Sequence, residues 1–141
     1  MVFTIGHSTR SINELIKLLK KYNIDIIADV RRFPGSKKYP HFNKENLDTV
    51  LGKHFIKYFW LGEHLGGFRK GGYEGYTKTD EFRKGIEDLL EIIKQGTVAI
   101  MCAEIVWFRC HRRYISDKLV LLGFEVIHIV DEKRTYAHKL R

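Results

Sequence analysis

Hydrophobic positions along the chain alternate between short continuous runs and longer stretches with helical period. Residues 2–5 (VFTI) form the first run. Ile12, Leu15, Ile16 and Leu19 then recur with the spacing of one helix face. Ser11, with Glu14 three residues on, makes a capping box, and Asn23 suits the left-handed residue that stops such a helix. Residues 24–30 are apolar except at Asp25 and Asp29, as in a strand buried on both faces of a parallel sheet. Asn43 caps a helix running to about Lys53, and residues 55–60 read as a third strand. Phe82, Ile86, Leu89, Leu90 and Ile93 line a helix that Gly96 ends, and residues 97–102 form the fourth strand. Ile115, Leu119 and Leu122 mark a last helix, closed by Gly123, before a fifth strand at residues 124–130.

This β-α-β-α-β-α-β-α-β pattern predicts an α/β fold, a single domain over residues 1–141. About five mostly parallel strands carry helices on both faces, a Rossmann-like three-layer arrangement. Residues 61–78 are glycine-rich without a period and read as a long loop. The basic tail, residues 131–141, reads as loosely held.

Composition narrows the class. A chain of 141 residues suits one domain, and a hydrophobic fraction of 44% excludes disorder. There is no apolar run of about 18 residues for a membrane span, and the start lacks a signal peptide's basic and apolar regions. A cytoplasmic protein is expected. Two cysteines do not make a disulfide scaffold. Abundant Lys and Ile with one glutamine, Gln95, lean towards a heat-adapted protein. The net charge of +8 suggests an anionic partner, with bare solubility as the competing account.

In such sheets ligands sit beyond the carboxyl ends of the strands. Those ends carry residues 6–10 (GHSTR), then Asp29, Arg31 and Arg32, then Glu63, His64 and Arg69, then Cys102, Glu104 and the Cys110-His111-Arg112-Arg113 run. The opposite loops are short and plain, an asymmetry that core packing does not require.

These motifs carry a resemblance. Residues 4–10 (TIGHSTR), 29–31 (DVR), Pro34, Ser36, 42–43 (FN), 65–67 (LGG), 101–104 (MCAE), 110–112 (CHR) and 128–129 (HI) resemble, in order and spacing, the domain-of-unknown-function family numbered 488. The resemblance spans nearly the whole chain. It implies a compact α/β domain with a polar pocket built from these motifs, and no settled activity. The chain departs from the pattern at Phe68, where an arginine often follows the paired glycines; Arg69 is the candidate substitute.

The residues themselves suggest chemistry. Ser8 and backbone N–H groups after the first strand suit an anion at a helix start, against plain capping with a packed His7. Neither a Walker A loop nor G-x-G-x-x-G is present. Asp29 is either a general base or the ion-pair partner that fixes Arg31. Arg31 and Arg32, beside a Gly-Ser-Lys-Lys segment that includes Ser36, suit phosphate oxygens. Glu104 is the leading acid/base, its other role being to hold an arginine. Cys110 opens a helix, where a thiol becomes more acidic; Cys102 and Cys110 are reactive, paired or merely packed. Arg69 and Tyr76 join basic and aromatic groups suited to bases and phosphates.

The expected catalytic residues are therefore Glu104, assisted by Asp29. His7, Ser8, Arg31, Arg32, Ser36, Arg69, Tyr76, Cys110, His111 and Arg112 are expected to bind substrate. His128, in mid-strand, reads as a core histidine. No metal or other cofactor is expected, because the cysteine and histidine spacings match no ligand pattern. The expected function is an enzyme on a phosphate-bearing substrate, nucleic acid ahead of a free metabolite, by hydrolytic or lyase cleavage. A non-catalytic nucleic-acid-binding module and a thiol-dependent or small-molecule enzyme are the alternatives.

Overall fold

A computed structural model describes residues 1–35 and 40–140. Five of its strands are parallel: β1 (Val2–Gly6), β2 (Ile26–Asp29), β3 (Lys57–Trp60), β4 (Val98–Cys102) and β5 (Val126–Ile129). A sixth, β6 (Thr135–Ala137), pairs antiparallel with β5, and the order across the sheet is β3-β2-β4-β1-β5-β6. The α/β fold and mostly parallel sheet therefore agree with the periodicity. The tail does not: it supplies the sixth strand and buries His138. A three-residue exposed strand has no hydrophobic alternation by which to announce itself.

Alternate strand residues feed two cores. Val2, Ile26, Ala28, Ile100 and Cys102 face one side, where α5 (Asp80–Ile93) contributes Phe82, Ile86 and Leu89 and α6 (Arg112–Leu121) contributes Ile115 and Leu119. Phe3, Ile5, Ile27, Ala99 and Met101 face the other, against α1 (Ile12–Lys21) and α2 (Lys44–Lys53). The layering follows from the two-residue period of strands. Helix α1 begins at the expected capping box, and Asn23 adopts a φ of 56° after it. Residues 61–78 are not featureless; they hold two four-residue helices, α3 (Gly62–Leu65) and α4 (Tyr73–Tyr76), too short to show a period.

Register aligns the strand ends that matter. Gly6 lies beside Cys102, and Asp29 beside Met101 and Trp60. The ladder continues past β1, because His7 N–H donates to Cys102 O (2.9 Å) and Ser8 N–H to Ala103 O (2.8 Å). Gly6 permits this approach: a Cβ there would stand 2.0 Å from Glu104 O. Among the described residues no helix is long and apolar enough to cross a membrane.

Candidate functional site

A cavity of about 560 Å³ opens beyond the ends of β2 and β4, within the size range of small-molecule sites. Three chain segments line it: Arg31, Arg32 and Phe33 after β2; Gly67, Phe68 and Tyr73 around α4; and residues 102–104 with 108–111, 113 and 114 after β4. Four arginines (31, 32, 109 and 113) and one carboxylate, Glu104, line it, and with Arg31 paired to the buried Asp29 the lining stays net positive. Phe33, Phe68 and Phe108 expose their rings at its edge, and Arg32 lies 5.4 Å from the Phe33 centroid.

The β2 end is rigid. Asp29 is fully buried and accepts from Arg31 N–H (3.0 Å), Arg31 Nε (2.9 Å), Arg31 Nη2 (2.7 Å) and Tyr58 OH (2.5 Å). Both its oxygens are engaged, so Asp29 orients Arg31 and is not placed as a general base. Burial pulls the Arg31 guanidinium down, but the Asp29 bonds and charge outweigh it and hold Arg31 above its ordinary value. Arg31 Nη1 donates to His7 Nε2 (3.3 Å), while His7 Nδ1–H donates to Ser8 O (3.1 Å). Burial, reinforced by Arg31, pushes the His7 pKa down to about 4. Its imidazole is neutral and stacks on Phe42 with centroids 4.3 Å apart.

The β4 end holds the sulfur chemistry. Cys110 precedes α6 in extended backbone and lines the cavity, with the buried Cys102 behind it, Sγ to Sγ 2.7 Å. Cys110 Sγ accepts from Arg112 N–H (3.3 Å), in the first turn of α6, and lies 3.7 Å from His111 Nδ1. His111 Nε2–H donates to Val30 O (2.8 Å), which leaves Nδ1 facing the sulfur. The Cys102 hydrogen bond, aided by His111 and Arg112, lowers the Cys110 pKa. Burial, together with the same hydrogen bond, raises that of Cys102. Both shifts point the same way, so of the two sulfurs the one at the cavity wall is the more acidic.

The site differs from the expected one in several members. Arg112 is 1% exposed and donates to Thr4 Oγ1 and to the carbonyls of Glu104 and Ile105. It anchors the 104–105 loop and is not part of the cavity lining. Arg69 donates to the carbonyls of Gly62, Glu63 and Gly66, capping α3, so it does not replace the missing arginine at Phe68. Tyr76 OH is spent on His64 O (2.6 Å), with Arg69 4.1 Å from its ring. The Ser8 amide is spent on the sheet, and His7 packs behind Arg31. Ser36 lies outside the described residues.

Glu104, Arg31, Arg32, Cys110 and His111 do converge on the cavity. Glu104 is exposed, and its Oε1 accepts from Val106 N–H (3.2 Å). Arg109, Phe108 and Tyr114 were not anticipated; their signal is the interleaving of rings and cations through residues 107–114 (WFRCHRRY). His128 is the core histidine expected, bonded to Thr4 Oγ1 (2.6 Å) and His138 Nδ1 (2.8 Å), with Asp117 completing the chain (2.6 Å).

No curated protein and no solved structure matches this chain at a significant level. A family model does match, over residues 11–119, a span that includes every residue lining the cavity and leaves out the His7 loop, β5 and β6. That family is described as Domain of unknown function DUF488, and the chain belongs to it.

Proposed function

We propose that this chain is an enzyme acting on a phosphate-bearing substrate held in the arginine-lined cavity, with Cys110 as its nucleophile. The carrying observation is the Cys110 sulfur itself. It lies at the cavity wall with a thiol, an imidazole nitrogen and a helix amide directed at it. A thiolate so supported attacks an electrophilic atom, and the leaving group departs with the bonding pair. Arg31 keeps two of its five N–H groups beyond those engaged by Asp29 and His7, and Arg109 and Arg113 add charge for phosphate oxygens. Phe33, Phe68 and Phe108, with Arg32, offer flat apolar and cationic surface for a base, which favours a nucleotide or nucleic acid. Glu104, exposed and bonded to a loop amide, takes the supporting part of positioning water or substrate.

The test is a panel of intact and damaged oligonucleotides, single- and double-stranded, with mononucleotides beside them. Turnover by the wild type is expected to vanish in Cys110→Ser while binding persists, and to fall only partly in Glu104→Gln. Turnover that survives Cys110→Ser and is abolished by Glu104→Gln would return the central role to the carboxylate. Binding without turnover by any protein would leave a nucleic-acid-binding module.

A further inference from the structure

Cys110 is partly buried at the cavity wall and Cys102 is 2% exposed directly behind it. They are the chain's only cysteines, eight residues apart in sequence.

 

Cys110 lies in extended backbone between the 3-10 turn Trp107–Arg109 and α6, its N–H donating to Trp107 O and its carbonyl accepting from Arg113 N–H, so the backbone holds its sulfur beside that of Cys102. A disulfide needs a sulfur separation of about 2.05 Å. The present 2.7 Å is therefore closed by a movement of well under an ångström. An accessible attacking thiolate with a shielded second thiol in contact is the arrangement that thiol–disulfide exchange requires. The lining adds a preference, since Arg32, Arg109 and Arg113 outnumber Glu104 even with Arg31 paired to Asp29, and so draw in anions.

We propose that Cys102 and Cys110 are a redox pair, oxidised reversibly to an intramolecular disulfide by an anionic low-molecular-weight disulfide that enters the cavity. The exchange stands independently of the turnover proposed above; only its consequence, that oxidation silences the nucleophile, rests on that reading. The Cys110 thiolate attacks one sulfur of the incoming disulfide. That S–S bond breaks, and its electron pair leaves with the first released thiolate. Cys102 gives up its proton, attacks the Cys110 sulfur of the mixed disulfide and expels the second thiolate. The two cysteines lose two electrons and the incoming disulfide gains them. The released thiols carry the proton from Cys102 and one from solvent.

The experiment treats the reduced full chain with oxidised glutathione, quenches with acid, and reads intact mass and a non-reducing peptide map. The wild type is expected to lose two hydrogens, to carry a crosslink between the peptides of Cys102 and Cys110, and to regain both thiols with dithiothreitol. Cys102→Ser is expected to stop at a glutathionyl adduct on Cys110. Cys110→Ser is expected to react at least about ten-fold more slowly, because its remaining thiol is shielded. Neutral bis(2-hydroxyethyl) disulfide is expected to oxidise the wild type more slowly than oxidised glutathione, the gap narrowing as salt is added. A stable adduct on wild-type Cys110, no oxidation at all, or equal rates with the two disulfides would each overturn the proposal. The wild-type mass and crosslink decide it even where a serine variant fails to fold, and neither readout involves a phosphate-bearing substrate.

Discussion

At the scale of single residues, the site depends on keeping its buried bases neutral. His7 accepts from Arg31 through Nε2, and a proton there would place two cations in contact inside the protein. Its pKa is accordingly pushed from 6.5 to about 4, by burial first and Arg31 second. His128 is lowered in the same way, to about 3, by burial, His138 and Arg112. For both groups the unfolded chain binds the proton more readily. Stability is therefore complete above the unfolded value and is lost as pH falls through it towards the folded one. His7 alone withdraws roughly 2 kcal/mol by about pH 5. Urea unfolding midpoints are expected to fall between about pH 7 and pH 5, ahead of most carboxylate titration. His7→Gln should show a shallower decline, and a flat profile over that interval would contradict the assignment.

At the scale of elements, the sequence was most legible where packing is periodic. The two-sided apolar strands and the amphipathic faces of α1 and α5 follow from residue spacing alone, because each must bury one face or both. The site is legible only to the level of which loops meet. Arg112 and Arg113 are neighbours at the start of α6, yet one is buried under the 104–105 loop and the other lines the cavity. One step turns a helix by about 100°, and the phase of a first turn is set by tertiary contacts that no local pattern encodes. Likewise β6 is held through His138, which joins His128 and Asp117 across long stretches of chain. Close backbone approach is similarly invisible until the strands are paired. Gly6→Ala would drive a methyl group into Glu104 O and displace the loop that Arg112 anchors. We expect it to cost more than about 2 kcal/mol, read as a drop in thermal midpoint. Gly75→Ala, where nothing lies within 4 Å of the new carbon, is expected to be neutral or stabilising. Equal effects of the two substitutions would show that the Gly6 contact does not constrain the loop.

At the scale of the whole molecule, the +8 charge resolves into cations with different tasks. Arg10 donates to Gly6 O and Val130 O, Arg69 caps α3, and Arg112 supports a loop; all three are spent on the protein's own carbonyls. Lys17 pairs with Glu132 on an exposed face. Arg31, Arg32, Arg109 and Arg113 line the cavity with Glu104, and since Asp29 neutralises Arg31, the excess there is carried by Arg32, Arg109 and Arg113. A ligand whose phosphates these arginines neutralise releases counterions, so its affinity must fall linearly in log–log form with salt. Net charge and local charge then make different predictions. If the cavity arginines hold the phosphates, Arg109→Ala and Arg113→Ala should each weaken oligonucleotide binding and reduce the salt slope by about 1. Lys17→Ala, which removes the same formal charge from a remote face, should leave the slope unchanged. Fluorescence anisotropy with a labelled single strand across a salt series measures both quantities. A slope that falls equally for all three variants would mean that the general field of the protein, and not this cavity, attracts the anion.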